Sequence, residues 1–95
     1  MSAYVYILAS QRNGTLYIGV TADIARRTHQ HRMGKGGGFT QRYGISRLVW
    51  YELCPSITDA IQREKTLKSW PRRWKLDLIE KANPQWDDLW EQLNA

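Results

Sequence analysis

The chain has 95 residues, 42% of them hydrophobic and five of them Trp, which suits one compact core and argues against disorder. No apolar run approaches the ~18–20 residues of a membrane-spanning helix, and the N-terminus lacks the pattern of a secretory signal. The net charge is +5 and uneven: residues 83–95 carry −3, and residues 1–82 hold 14 basic against 6 acidic side chains.

Such a basic excess suits a phosphate backbone, although a solubilising surface has the same composition. Cys54 is the only cysteine, so no intramolecular disulfide is available and a reducing cytoplasm is the expected compartment. His29, His31 and Cys54 are too few and wrongly spaced for a four-ligand zinc site.

In chain order, Tyr4–Ala9 is rich in β-branched and aromatic residues and predicts a strand. Asn13-Gly14 predicts a turn, and Thr15–Thr21 alternates as the return strand of a hairpin. Asp23 is placed to cap a helix running to about Met33. Gly34 and Gly36-Gly37-Gly38 predict a flexible loop through Arg42. Arg47–Leu53 predicts a third strand that Pro55 ends. Helices are predicted over about 57–69, over 71–82 with Pro71 in the first turn, and over Trp86–Leu93. The order β-β-α-β-α-α-α predicts an α+β fold with helices on a small, mostly antiparallel sheet. Residues 1–82 are expected to form the domain, with the acidic, Trp-rich segment 83–95 packed on it.

Candidate functional residues stand where local patterning breaks. The apolar face expected of the second long helix runs Ile57, Ala60, Ile61, then Glu64, then Leu67. A carboxylate on that stripe is costly unless satisfied, so Glu64 is a metal ligand, an acid/base, an inward-edge Glu paired with an Arg, or a boundary residue reaching solvent. Ile24, Arg27 and His31 share a helix face, where a guanidinium and an imidazole can reach one anion; a solvated face is the ordinary alternative. Arg26, His29 and Arg32 lie off that line, as surface groups or DNA-backbone contacts. In the hairpin, Tyr17 points to the less apolar face beside Gly19, which leaves space next to it, and Tyr6 and Tyr17 are expected to be cross-strand neighbours.

Tyr4-Val5-Tyr6, followed by Tyr17-Ile18-Gly19, resembles the paired signature of the GIY-YIG nuclease superfamily. The second half matches literally, while the first keeps its closing tyrosine, Tyr6, without the glycine. The resemblance continues through Asp23–Arg27 and His31, and through Ala60–Lys65 with Lys68-Ser69-Trp70, covering about residues 3–82. Arg27 matches the catalytic arginine, His31 a position that holds His or Tyr, and Glu64 the metal-binding glutamate. The nearest likeness is to small stand-alone bacterial members.

The resemblance implies a three-stranded antiparallel sheet flanked by helices and a metal-dependent DNA endonuclease using Mg²⁺ (or Mn²⁺). Such an enzyme is expected to be structure-selective, to act on branched or single-stranded DNA, and to serve DNA repair or recombination. Val20 replaces a lysine of the excision-repair relative. No separate DNA-binding domain is evident, which leaves a protein partner as one source of targeting.

In this reading Glu64 holds the metal, Arg27 neutralises phosphate charge, and Tyr17 orients or deprotonates the attacking water. A phenol is a poor base at its ordinary pKa of ~10, which nearby cations would lower, whereas His31 at ~6.5 is a competing base. Tyr6 bonds to Tyr17 or to the phosphate, and Gly19 is structural. Lys35 and Arg42 in the glycine-rich loop, with Phe39 against a base, are expected DNA contacts, together with Lys68. Arg72, Arg73 and Lys75 either bind phosphates or cover the faces of Trp70 and Trp74. A non-catalytic nucleic-acid-binding module on the same scaffold, and a protein-interaction module using the tail, are the competing readings.

Overall fold

A turn through Asn13 and Gly14 folds β1 (Ala3–Ala9) back against β2 (Leu16–Thr21). Asn13 takes φ 58°, a left-handed conformation that Asn tolerates better than most residues, and the Gly14 amide closes the turn on the Gln11 carbonyl at 2.9 Å. These elements come from a computed structural model, which describes residues 2–34 and 38–93. β3 (Arg47–Cys54) joins the other side of β1, so the sheet runs β2-β1-β3, antiparallel throughout, with β1 at its centre. The fold is α+β, a three-stranded antiparallel sheet flanked by helices.

The central strand meets its partners out of step at one point. Ile7 faces Trp50 while Leu8 faces Leu48, leaving Val49 in a bulge. The Val49 carbonyl accepts from Asn83 Nδ2 at 3.1 Å, and this buried side chain also brackets Asp87, donating to its carbonyl at 2.9 Å and accepting from its amide at 3.0 Å.

Helix α1 (Ile24–Arg32) starts where the Asp23 carboxylate accepts from the Arg26 amide at 3.1 Å. α3 (Ile57–Ser69) is capped by Ser56, and α4 (Arg72–Ala82) follows Pro71. Between α1 and β3 the expected loop contains a one-turn helix, α2 (Gly38–Arg42). Tertiary contact accounts for it: Thr40 is buried against His31, Phe39 lies 6.3 Å from the Tyr17 ring, and the Ile45 amide binds the Thr40 carbonyl at 2.8 Å.

The last helix is shorter than its apolar spacing predicts. α5 spans only Trp90–Leu93, because Trp86 takes φ 57° and turns fully into the core. Its indole Nε1 donates to Glu80 at 3.2 Å, and the Leu89 amide then binds the Leu48 carbonyl at 2.7 Å.

The side chains of β1 divide two clusters. Ala3, Val5, Ile7 and Ala9 pack with Ala60, Leu67, Ile79 and Trp86 beneath α3 and α4. Tyr6 and Leu8 pack with Ile24, Ile45 and Leu48, with Tyr17 and Leu89 at the margin. The face of α3 differs from the expected stripe. Ala60 and Leu67 are buried, but Ile57 and Ile61 are exposed. Glu64, one turn from both Ala60 and Leu67, therefore sits on a narrower seam at the edge of the core, its side chain 22% exposed.

Candidate active site

Strand pairing decides how the tyrosines meet. Tyr6 stands opposite Gly19, and Tyr17 opposite Leu8, so the two tyrosines are diagonal rather than direct neighbours, with ring centroids 6.4 Å apart. Gly19 makes this possible. A Cβ built there would lie 2.6 Å from Tyr6 Cζ and Oη, closer than side chains allow, and 3.1 Å from Tyr17 Cε2, a tight contact. The expectation that Gly19 leaves space for Tyr17 is thus incomplete, since the space is filled by the phenol of Tyr6.

Helix α1 lays His31 over this pair. Its ring centroid is 5.6 Å from Tyr17 and 6.1 Å from Tyr6. His31 Nε2 and the Tyr6 hydroxyl are hydrogen-bonded at 3.3 Å, and Nδ1 and the Thr40 hydroxyl at 3.1 Å, so both ring nitrogens are engaged. Each hydroxyl can donate or accept, which satisfies a neutral imidazole in either tautomer. Burial, and secondarily the Arg27 guanidinium, lower the His31 pKa to about 4. The sequence predicts a histidine near its ordinary value; desolvation of this 4% exposed residue overrides it.

Burial also pushes Tyr6 up to about 12, against a hydrogen bond and the positive charge of Arg27, with Tyr17 and Glu64 adding to the rise. Arg27 is half-buried, binds the Tyr6 phenol, and donates from Nη1 to Gln30 Oε1 at 3.1 Å. It lines an open groove of about 260 Å³ with Thr21, Asp23, Arg26 and Gln30. Glu64 is close enough for its charge to act on Tyr6, and Lys68 Nζ lies 3.6 Å from its carboxylate.

One region therefore gathers Tyr6, Tyr17, Gly19, Arg27 and His31, with Glu64 within electrostatic reach. It combines a phenol at the margin of the core, a guanidinium on an open groove, a neutral imidazole and a partly exposed carboxylate. Among the described residues no group of three or more His, Cys, Asp or Glu could hold a metal. The donor set still fits a hard divalent cation held by one carboxylate, with water and a substrate phosphate completing the shell, as Mg²⁺ prefers.

The other expected contacts do not converge on this cluster. Lys68 is about half exposed beside Glu64. Arg42 lies over the Tyr43 ring at 5.7 Å. Arg72 Nη2 donates to the Asn13 and Gly14 carbonyls at 2.9 and 2.7 Å, tying α4 to the hairpin turn. Arg73 pairs with Asp77 at 3.5 Å. Lys35 lies outside the described residues. Arg32 and His29 hold the C-terminal segment, Arg32 through an ion pair with Asp88 and a 4.6 Å contact over Trp90, and His29 by stacking on Trp90 at 6.1 Å.

Sequence reasoning missed Thr40 and Gln30. Gln30 lies i+3 from Arg27, a spacing that could have pointed to it. Thr40 follows a glycine run, and no local pattern marks it as buried.

Comparison with known proteins bears on the family and the fold. The model of the GIY-YIG catalytic domain matches residues 2–77. A UPF0213 protein of Staphylococcus haemolyticus is 36% identical over 77 residues, 81% of this chain and 93% of its own. A UPF0213 protein of Syntrophus aciditrophicus is 39% identical over 83 residues, 86% of this chain and 93% of its own. The solution NMR structure of a UPF0213 protein from Bacillus halodurans superposes with a TM-score of 0.57 at 35% identity, covering 93% of each chain.

Proposed function

The chain belongs to the GIY-YIG family, and on that basis we propose that it is a divalent-metal-dependent DNA endonuclease that hydrolyses a phosphodiester bond, selects branched or single-stranded DNA, and serves DNA repair or recombination. The observation that carries the reading is the convergence of Tyr6, Tyr17, Arg27 and His31 on one face of the hairpin, with Glu64 acting on Tyr6.

Hydrolysis requires a water aimed at phosphorus, charge to balance the pentacovalent phosphate, and a route for the water's proton. Arg27, on the open groove, neutralises the non-bridging oxygens. Tyr17 orients the water and, as the phenolate, takes its proton. It suits this role better than His31, whose ring nitrogens are already bound to Tyr6 and Thr40. His31 stays neutral and holds the Tyr6 phenol, which in turn holds Arg27. Glu64 is the residue that would bind Mg²⁺ or Mn²⁺, and the bound metal supplies positive charge to the phosphate and to the departing 3′ oxygen. With one protein ligand, metal affinity without DNA is expected to be weak.

The test is a cleavage panel of flaps, forks, junctions, single strands and duplexes with Mg²⁺ or Mn²⁺, run beside Glu64→Ala and Arg27→Ala. Both variants should fold normally and lose at least about 100-fold in rate, the scale of removing one electrostatic stabiliser. Failure of the wild-type protein to cut any substrate would end the nuclease reading. Salt-dependent binding that Glu64→Ala leaves intact, with no cutting by either form, would replace it with the binding module.

A further inference from the structure

The site uses little of the chain's positive charge. Residues 63–75 hold six Lys or Arg against one Glu, a net +5 equal to that of the entire chain. This segment is the corner where α3 ends and α4 begins, and it carries Trp70 and Trp74, 5.8 Å apart and edge to face. Trp70 packs on the core with Arg63 over its ring at 5.5 Å, whereas Trp74 is 55% exposed. The two indoles, with Leu78 and the stems of Asp77 and Lys81, line an open, mostly apolar groove of about 270 Å³. That volume lies below the ~300–1,000 Å³ of drug-sized sites and suits a single flat ring.

We propose that this corner is a strand-binding subsite for single-stranded DNA, in which one unpaired base stacks on Trp74 in the groove while the surrounding cations follow the backbone. The proposal rests on the reading of DNA as substrate and specifies which part of it is gripped. Charge complementarity selects the occupant. A tryptophan exposed in the most basic stretch of a chain meets the two needs of an unpaired strand, a ring for the base and cations for the phosphates. The lone acid in the groove, Asp77, is paired with Arg73 at 3.5 Å. Glu64 lies on α3 six residues before Trp70, the residue that caps the helix, about 9 Å along the axis and thus about two or three stacked nucleotides. A base held here would set which phosphate reaches Glu64.

The test measures binding of a labelled oligo(dT) by anisotropy, in EDTA, to the full chain carrying Glu64→Ala, so that cleavage plays no part. Trp74→Leu, which keeps apolar bulk but removes the ring, should weaken binding about tenfold, while Trp74→Phe should recover most of it. Thermal melts check that both variants fold. In cleavage assays with Glu64 restored, Trp74→Leu should shift the cut position on flaps or raise KM more than it lowers kcat. Equal oligo(dT) affinity in all three proteins overturns the subsite, as does tighter binding to oligo(rU) or to anionic phospholipid vesicles than to oligo(dT). If no substrate is ever cut yet Trp74→Leu weakens oligo(dT) binding, the nuclease reading falls and the subsite stands.

Discussion

At the residue scale, two positions carry consequences that their residue types do not announce. Gly19 has no side chain because the Tyr6 phenol occupies the space a Cβ would take, 2.6 Å away. Tyr6 is 1% exposed and bonded to His31, so it cannot swing aside. Gly19→Ala should therefore cost about 1–3 kcal/mol of stability, read from urea midpoints. It should also reduce cleavage further, by displacing Tyr6 and with it Arg27.

His31 makes stability depend on pH in a defined direction. Its folded pKa is about 4, against 6.5 for the free side chain. Between these values the unfolded chain binds a proton that the folded one refuses. The resulting stability is present above pH 6.5 and is lost as pH falls toward 4, by an amount on the order of 1–3 kcal/mol. Urea midpoints at pH 7.5, 6 and 4.5 should decline accordingly, and His31→Gln should flatten that decline. The pH–rate profile should show no step at pH 6.5 attributable to His31; a step that vanishes in His31→Gln would restore it as the general base.

At the element scale, the irregular parts of the fold hang on a few side chains. Asn83 joins the β3 bulge to the segment after α4 through three hydrogen bonds, and it is 4% exposed. Asn83→Ala strips partners from buried backbone groups and should cost about 2–4 kcal/mol, measured as a lowered melting temperature. The regular elements were legible locally: strand patterning, Asn13-Gly14, Asp23 and Pro71 mark their own boundaries. The exceptions share a cause. α2 forms because Thr40 and Phe39 find partners on β2 and α1, and the last helix shortens because Trp86 turns inward. Local propensity favours a loop in the first case and a longer helix in the second. Long-range burial overrides it in both.

At the scale of the whole molecule, the C-terminal segment is integral to the core. Trp86 is fully buried, the Leu89 amide binds Leu48, and Asp88 pairs with Arg32. Removing residues 84–95 should lower stability by at least the ~3–5 kcal/mol of a buried aromatic, and loss of activity should track unfolding. A truncated protein that melts like the full chain yet loses activity would instead identify the segment as a docking element. Among the described residues no helix is long and apolar enough to cross a membrane.

The sequence by itself determined the strands, the long helices, the antiparallel hairpin and the residue types of the candidate site. These follow from period-2 and period-3.6 patterning, from caps and turns, and from motifs of fixed spacing, all of which are local. Glu64 was legible as a break in a helical pattern, although the stripe it interrupts is narrower than its neighbours predicted. Only the tertiary structure decided that Tyr6 faces Gly19 rather than Tyr17, that Thr40 closes over His31, and that His31 is buried to the point of remaining neutral. Register, burial and the resulting pKa values depend on which surfaces meet across the sheet. That is a property of residues 25 positions apart, such as Tyr6 and His31, which no local window joins.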